Sequence, residues 1–405
     1  MMTPDGIKYL FMAAAFASAA ILGMILIPNI LFISYKKKLF DEPDARKVHK
    51  TPVPRLGGLS FFPAILIALF LNVGLRYSLG YPLVGVDPQQ VWEEFLYLFS
   101  GLTILYLIGE ADDLVGVGYR WKFLVQIIAA GLLVISGNWL HSLAGLFGIL
   151  SIPMWAGVPI TIFVVVFITN AINLIDGIDG LASGLCSIAL AILAALLVYD
   201  KQYIYATLAL VTLGIVMVFW FYNVFGNERK GHKLFMGDAG SLTLGYILSY
   251  LVIHLSIDPE MHRGGYKFMI IAFSTLLVPM LDVVRVSLHR IRKHRSPFLP
   301  DKNHIHHKLI RAGMKVPAVL VTILFIDLIF IGLNTALVEV INVTLILIID
   351  VVLYTVLQLV INHYIKKNHG GPSYVPTEEL AKSEPELAKE LGLDKKTKIN
   401  DSPKE

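Results

Sequence analysis

The chain has 405 residues, of which 56% are apolar and only 16% charged, with a formal net charge of +4 and a mean hydropathy of +0.68. A typical soluble domain carries about 25% charged residues, so this chain has more apolar surface than one globular core can hide. A soluble enzyme, a disordered protein and a fibrous repeat are excluded, and a polytopic membrane protein remains.

A spanning helix needs about 20 apolar residues. In chain order, apolar runs predict eleven spans, at 7–34, 57–75, 95–109, 121–136, 158–172, 181–199, 203–225, 241–256, 268–284, 317–337 and 343–364. Each must be a helix, because lipid offers no partner to an open strand edge. The expected fold is an all-α helical bundle. The first run is too long for a signal peptide and has only Lys8 near its start, so it should stay in the mature protein. Residues 1–365 form the predicted membrane domain, and 366–405 a polar tail of mixed charge expected to be disordered. The single cysteine, Cys186, lies in an apolar run and supports neither a disulfide nor a zinc cluster.

Lysine and arginine set the direction. Loops following odd-numbered spans hold 21 of them, including Lys36–Lys38, Lys50, Arg55, Lys122, Arg292 and Arg295; the opposite loops hold four. The odd loops are therefore expected in the cytoplasm, with the N-terminus outside and the C-terminus inside.

Polar motifs gather on that cytoplasmic side. They are Pro54-Arg-Leu-Gly-Gly58, then Asp112-Asp113 with Lys122, then Asn170-Ala-Ile-Asn173-Leu-Ile-Asp176-Gly-Ile-Asp179-Gly180, then Phe235-Met-Gly-Asp238-Ala-Gly-Ser241, and finally His304-Ile-His306-His307. A lone Asp at a helix end is usually an interfacial cap. Five acids in three same-side loops point further, because crowded carboxylates repel and a hard cation such as Mg²⁺ relieves them. Asp176 and Asp179, three apart, would share a face if helical. The three histidines stand among Lys and Arg, which argues against zinc and for donors to phosphate oxygens. No Walker-type GxxxxGK[ST] is present. A water-soluble phosphorylated substrate meeting a membrane-resident one fits this inventory.

In these motifs the chain resembles the polyprenyl-phosphate N-acetylhexosamine-1-phosphate transferases, relatives of the phospho-MurNAc-pentapeptide translocase. The His-Ile-His-His form is similar to the branch that handles sugars without peptide. The resemblance implies transfer of a HexNAc-1-phosphate, GlcNAc-1-phosphate first among them, from a UDP-N-acetylhexosamine to undecaprenyl phosphate. UMP is released, and the step initiates a lipid-linked envelope glycan, as in cell-wall or lipopolysaccharide synthesis. It implies Mg²⁺, with Mn²⁺ as a substitute, held by Asp238 and Asn173. Catalytic roles fall to Asp112, Asp113, Asp176, Asp179, His304, His306 and His307. Substrate contacts fall to Lys50, Arg55, Lys122, Asn170, Asn223, Phe235, Arg292 and Arg295, with Phe235 set to stack on uracil. The implied setting is the bacterial inner membrane with a cytoplasm-facing site, membrane lipid as surroundings and no nucleic acid; a homodimer stays open. One departure is Glu110, a charge where the family usually has an apolar residue.

Phosphoryl transfer is mainly positioning and charge stabilisation. A phosphate monoester's second pKa is about 6, so the nucleophile is already mostly dianionic at pH 7. Asp112 can then act as an orienting group rather than a base, and a covalent phosphoryl-Asp route stays open. Another UDP-amino sugar as donor also stays open. A secondary transporter is the rival class; it predicts ionisable groups at span centres, which the sequence shows as nearly free of charge. A phosphatidyl-type alcohol transferase fails because Ser183 stands where its motif needs Arg.

Overall fold

The computed structural model describes residues 4–39, 53–81, 87–227, 231–257, 263–294, 296 and 303–367. Among them the regular elements are helices: α1 (Pro4–Lys37), α2 (Phe61–Ser78), α3 (Pro88–Val115), α4 (Tyr119–Ile135), α5 (Met154–Ile175), α6 (Leu181–Tyr199), α7 (Tyr203–Phe225), α8 (Gly237–His254), α9 (Tyr266–Ser274), α10 (Leu277–Arg292), α11 (Ile305–Arg311), α12 (Val316–Leu337) and α13 (Val343–Lys367). A 3₁₀ turn, Gly57–Ser60, leads into α2. The all-α expectation holds. The tail expected to be disordered lies, from residue 368 on, outside the described residues.

Eight helices are long and apolar enough to cross a membrane, or nine if α9 and α10, bent by 64° at their junction, form one broken span. The chain is thus a multi-pass membrane protein. Two of the eleven expected spans fall short for physical reasons. α4 has 17 residues, about 26 Å at 1.5 Å per residue. α8 is too polar for a lipid-facing span, but it does not face lipid: all its residues are buried. Two of its tyrosine hydroxyls find protein partners instead. Tyr246 donates to the Ala129 carbonyl (2.8 Å) and Tyr250 to Glu94 (3.0 Å).

The sequence impression that span centres are nearly free of charge needs correcting. Asp327 sits midway along α12 and is fully buried, as are Glu94 in α3 and Asp350 in α13. Each is screened from lipid by protein, which is where ionisable groups at membrane depth are tolerated. Glu94 accepts from Tyr205 and Tyr250, and Asp350 from Asn334.

Helix starts follow local rules. Asp87 caps α3 by accepting from Gln89 N–H (3.0 Å), with Pro88 opening the helix. The segment before α2 is held by backbone pairing to the segment before α8: Phe235 N–H to Pro54 O, Gly57 N–H to Phe235 O and Gly58 N–H to Met236 O, at 2.7–2.9 Å. A Cβ on Gly58 would overlap the backbone of Gly240. We therefore expect Gly58→Ala to cost about 1–3 kcal/mol, as overpacking does. A fall in the thermal midpoint of the detergent-solubilised protein measures it; an unchanged midpoint refutes the close-approach account.

Candidate active site

The ends of α3, α7 and α5, the starts of α4 and α8, and α11 meet at one end of the bundle. Asp112 sits on the last turn of α3, Lys122 on the first of α4 and Asp238 on the first of α8. The Lys122 ammonium lies between the two carboxylates, 3.2 Å from Asp112 Oδ2 and 2.9 Å from Asp238 Oδ2. The other Asp112 oxygen accepts from Val117 N–H (2.8 Å). Residues 116 apart are thereby brought to one point.

Asp113 does a different job from its neighbour. Its two oxygens accept from the N–H groups of Asp238 (2.8 Å) and Ala239 (3.0 Å). These are donors that the first turn of a helix leaves without partners, and a carboxylate there also complements the helix dipole. Asp113 thus fixes the entrance of α8, and Asp238 with it. Arg55 adds positive charge that acts on Asp113, Asp176 and Asp238.

The asparagine–aspartate motif straddles the end of α5. The expectation that Asp176 and Asp179 share a helical face is not met: α5 ends at Ile175, and Asp176 leaves the helix with ψ 56°. Helix resumes only at Leu181, after Gly180 at φ 77°. Asp179 pairs instead with Lys233 (2.6 Å). Burial pushes the Asp176 carboxyl up to about 7, against the pull of Arg55. Asn170, still on α5, donates to Gln126 of α4 and to the Val166 carbonyl. Asn173 donates to Ser241 Oγ on α8 (2.8 Å). Asn223 is engaged at both ends of its amide, accepting from Gly180 N–H and donating to the Leu234 carbonyl (2.8 Å). It clamps the aspartate loop to the segment before Phe235, a framework role beside the substrate contact expected of it.

The histidines complete the pocket from the other side. His304 precedes α11 and packs through its Nδ1 on Asp282 of α10 (2.8 Å). The His306 ring lies directly against Gly177, where a side chain would collide with it. His306 is buried, and neither ring nitrogen has a hydrogen-bond partner. Burial first, then the neighbouring His307 and His304, holds its pKa well below that of a free imidazole, so it is neutral at pH 7. His307 is half-buried beside it, ring centroids 4.2 Å apart. Lys308 donates to Gln358 of α13 and is lowered to about 8 by burial.

Phe235 is half-buried, its backbone tied to Pro54 and Gly57. Arg292 is exposed at the end of α10. Lys50 and Arg295 lie outside the described residues. Sequence reasoning gave no role to Gln126, Ser241, Arg285 and Tyr354, all polar residues inside or bordering apolar runs, and that placement was the available signal.

Among the described residues no three His, Cys, Asp or Glu side chains are grouped to hold one metal ion. Mg²⁺ does not require such a cage, since it is usually bound by one or two carboxylates plus substrate phosphates. The donors present fit it. Asp238 supplies a carboxylate, and Asn173, whose Nδ2 is committed to Ser241, keeps its Oδ1 as an acceptor.

Comparison with known proteins places the chain in a family. Residues 95–256, which include Asp112, Asp113, Lys122, Asn173, Asp176, Asp179 and Asp238, match the family model described as glycosyl transferase family 4. The chain is 30% identical over 331 residues to the probable undecaprenyl-phosphate N-acetylglucosaminyl 1-phosphate transferase of Bacillus subtilis (strain 168), covering 78% of this chain and 82% of that protein. It is 28% identical over 297 residues to the undecaprenyl-phosphate alpha-N-acetylglucosaminyl 1-phosphate transferase of Escherichia coli (strain K12), covering 71% and 75%. With the Salmonella typhi protein of the same name the figures are 30% over 283 residues, 69% and 71%. With its motifs converging on one pocket and its length matched across most of these relatives, the chain belongs to glycosyl transferase family 4.

Proposed function

We propose that this protein transfers GlcNAc-1-phosphate from UDP-GlcNAc to undecaprenyl phosphate in the bacterial inner membrane, at a site facing the cytoplasm. The observation that carries the reading is the joining of Asp112, Lys122 and Asp238 in one polar pocket at the ends of apolar helices. Such a pocket meets a soluble anion from one side and a lipid-borne anion from the other. The relatives' names supply the acceptor and the sugar phosphate.

In the reaction an oxygen of the lipid phosphate forms a bond to the β-phosphorus of the donor. The bond from that phosphorus to the bridging oxygen breaks, and UMP leaves with the electron pair. Both partners are anions, so the chief barrier is their Coulomb repulsion. Lys122 and Arg55 offset it from the aspartate side. Asp112, held by Lys122 and Val117 N–H, orients the acceptor. Asp113 works through α8. His306 and His307 donate to or pack against the donor's phosphate or sugar. Bound at Asp238 and Asn173, Mg²⁺ would supply positive charge to the pyrophosphate oxygens.

Eleven crossings follow when α4, α8 and the bent α9–α10 pair each count as one span with the eight others. That odd number puts the termini on opposite sides, and the basic residues of the odd-numbered loops favour the N-terminus outside and the C-terminus inside.

Purified protein with undecaprenyl phosphate and Mg²⁺ should release UMP from UDP-GlcNAc faster than from UDP-GalNAc or other UDP-amino sugars. Asp112→Asn should lose most turnover at pH 7, on the order of 10²–10³-fold, as removal of one preorganised polar group does. Asp238→Asn should lose activity in a way that raises the Mg²⁺ concentration needed for half-maximal rate. Wild-type rates in both variants would end the assignment. For orientation, single cysteines at exposed Arg120 and Lys201, in a Cys186→Ser background, should label differently. An impermeant maleimide should reach position 201 in intact spheroplasts and position 120 only after permeabilisation; the reverse pattern inverts the topology.

A further inference from the structure

Asp282 is a heavily engaged carboxylate outside the Asp112–Asp238 pocket. It is fully buried in α10. Four groups from three helices and a loop donate to it: His304 Nδ1–H (2.8 Å), Ile305 N–H (3.1 Å to Oδ1), Arg285 Nη2 (2.7 Å) and the Tyr354 hydroxyl (3.1 Å). Arg285 also donates to the Asn303 carbonyl, fixing the residue before His304. α11 has only seven residues. A helix that short does not persist alone in water, and the His304 side chain does not cap it. Its direction is therefore set by what holds its first turn, and Asp282 does so through Ile305 N–H. That same turn carries His306, whose ring rests on Gly177 of the aspartate motif.

We propose that Asp282 is a positioning residue for the transfer reaction, fixing His304 in the Nδ1–H tautomer and holding α11 so that the histidines face the aspartate loop. The carboxylate accepts only, so the hydrogen at the 2.8 Å contact belongs to His304 Nδ1. Nε2 is then the nitrogen left to meet a ligand. A carboxylate behind an imidazole orients the ring without touching substrate, and loss of such a partner costs about 10–100-fold in comparable sites. Of the groups facing this carboxylate, Arg285 supplies the balancing charge, which lets it stay ionised while sequestered from water.

The inference rests on the proposed transferase activity, and its test separates the two. Asp282→Asn keeps the volume but presents an amide N–H₂ toward His304 Nδ1, which turns that nitrogen into an acceptor and moves the hydrogen to Nε2. In protein labelled with ¹⁵N-histidine, the His304 resonances, assigned by their loss in His304→Gln, should exchange their protonated and unprotonated positions. UMP release should fall about 10–100-fold in kcat, with the KM for UDP-GlcNAc within twofold of wild type. Asp350→Asn, a change at a buried acid of α13 that accepts from Asn334, should leave kcat unchanged. Should Asp282→Asn unfold, Tyr354→Phe removes one donor and keeps the carboxylate; the His304 tautomer and kcat should then stay as in wild type. The proposal is overturned by wild-type kcat in Asp282→Asn, by an unaltered His304 tautomer in that variant, or by equal losses in Asp350→Asn. No UMP release from any UDP-sugar by the wild type would instead end the transferase reading, with the ¹⁵N result still deciding whether Asp282 sets the tautomer.

Discussion

The ammonium of Lys122, shared between Asp112 and Asp238, is the contact on which the pocket depends. Two carboxylates so close, at the edge of an apolar bundle, cannot both keep their charge without a cation between them. Around this core stand five aspartates, 112, 113, 176, 179 and 238, with Lys122, Arg55 and Lys233 as the cations acting on them. Among the described residues five acids thus face three cations, and burial adds to the cost of their charge, pushing the Asp176 carboxyl up to about 7. A pocket in this state would accept a further cation, and that cation would in turn attract phosphates. That sequence gives a physical reason for a divalent ion and an anionic donor to arrive together.

The site is precise because α8 is enclosed. Its residues are buried from end to end, and its first turn is gripped by Asp113 on one side and by the Pro54–Gly58 segment on the other. A helix surrounded by protein does not need to satisfy lipid, so α8 can spend its side chains on polar contacts to α3, α4 and α5. The same enclosure makes it a poor span by composition. Function and apparent failure of a hydropathy rule thus share one cause.

That cause also explains what was legible in the sequence. Apolar runs and the one-sided basic loops are collective signals, so the helical bundle and the clustering of motifs could be read directly. The separate jobs of Asp112 and Asp113 could not, since adjacent residues on a helix point about 100° apart and only the position of α8 decides which one caps it. Asp176 and Asp179 misled because their spacing is helical while the chain leaves α5 at Ile175. Asn223 also ties Gly180 to Leu234 through its amide, and the link to Gly180 crosses more than forty residues, which no local pattern announces. Asp327 escaped notice because one acid hardly lowers the mean hydropathy of a 22-residue helix.

The pocket is built from two separately anchored halves. The aspartates hang on α3, α5 and α8, with Lys122 on α4; the histidines hang on α10 and α11, backed by Tyr354 of α13. The halves touch where the His306 ring lies on Gly177, a contact with no hydrogen bond to lock it. Charge enforces order within the first half and the Asp282 hub within the second, and the packing of His306 on Gly177 joins them. A donor whose pyrophosphate reaches the aspartate half and whose remaining polar groups reach the histidines would supply a further link. Binding energy gained far from the reacting phosphorus would then be used to align it, which is how an enzyme with little covalent chemistry to perform can still gain rate from its substrate.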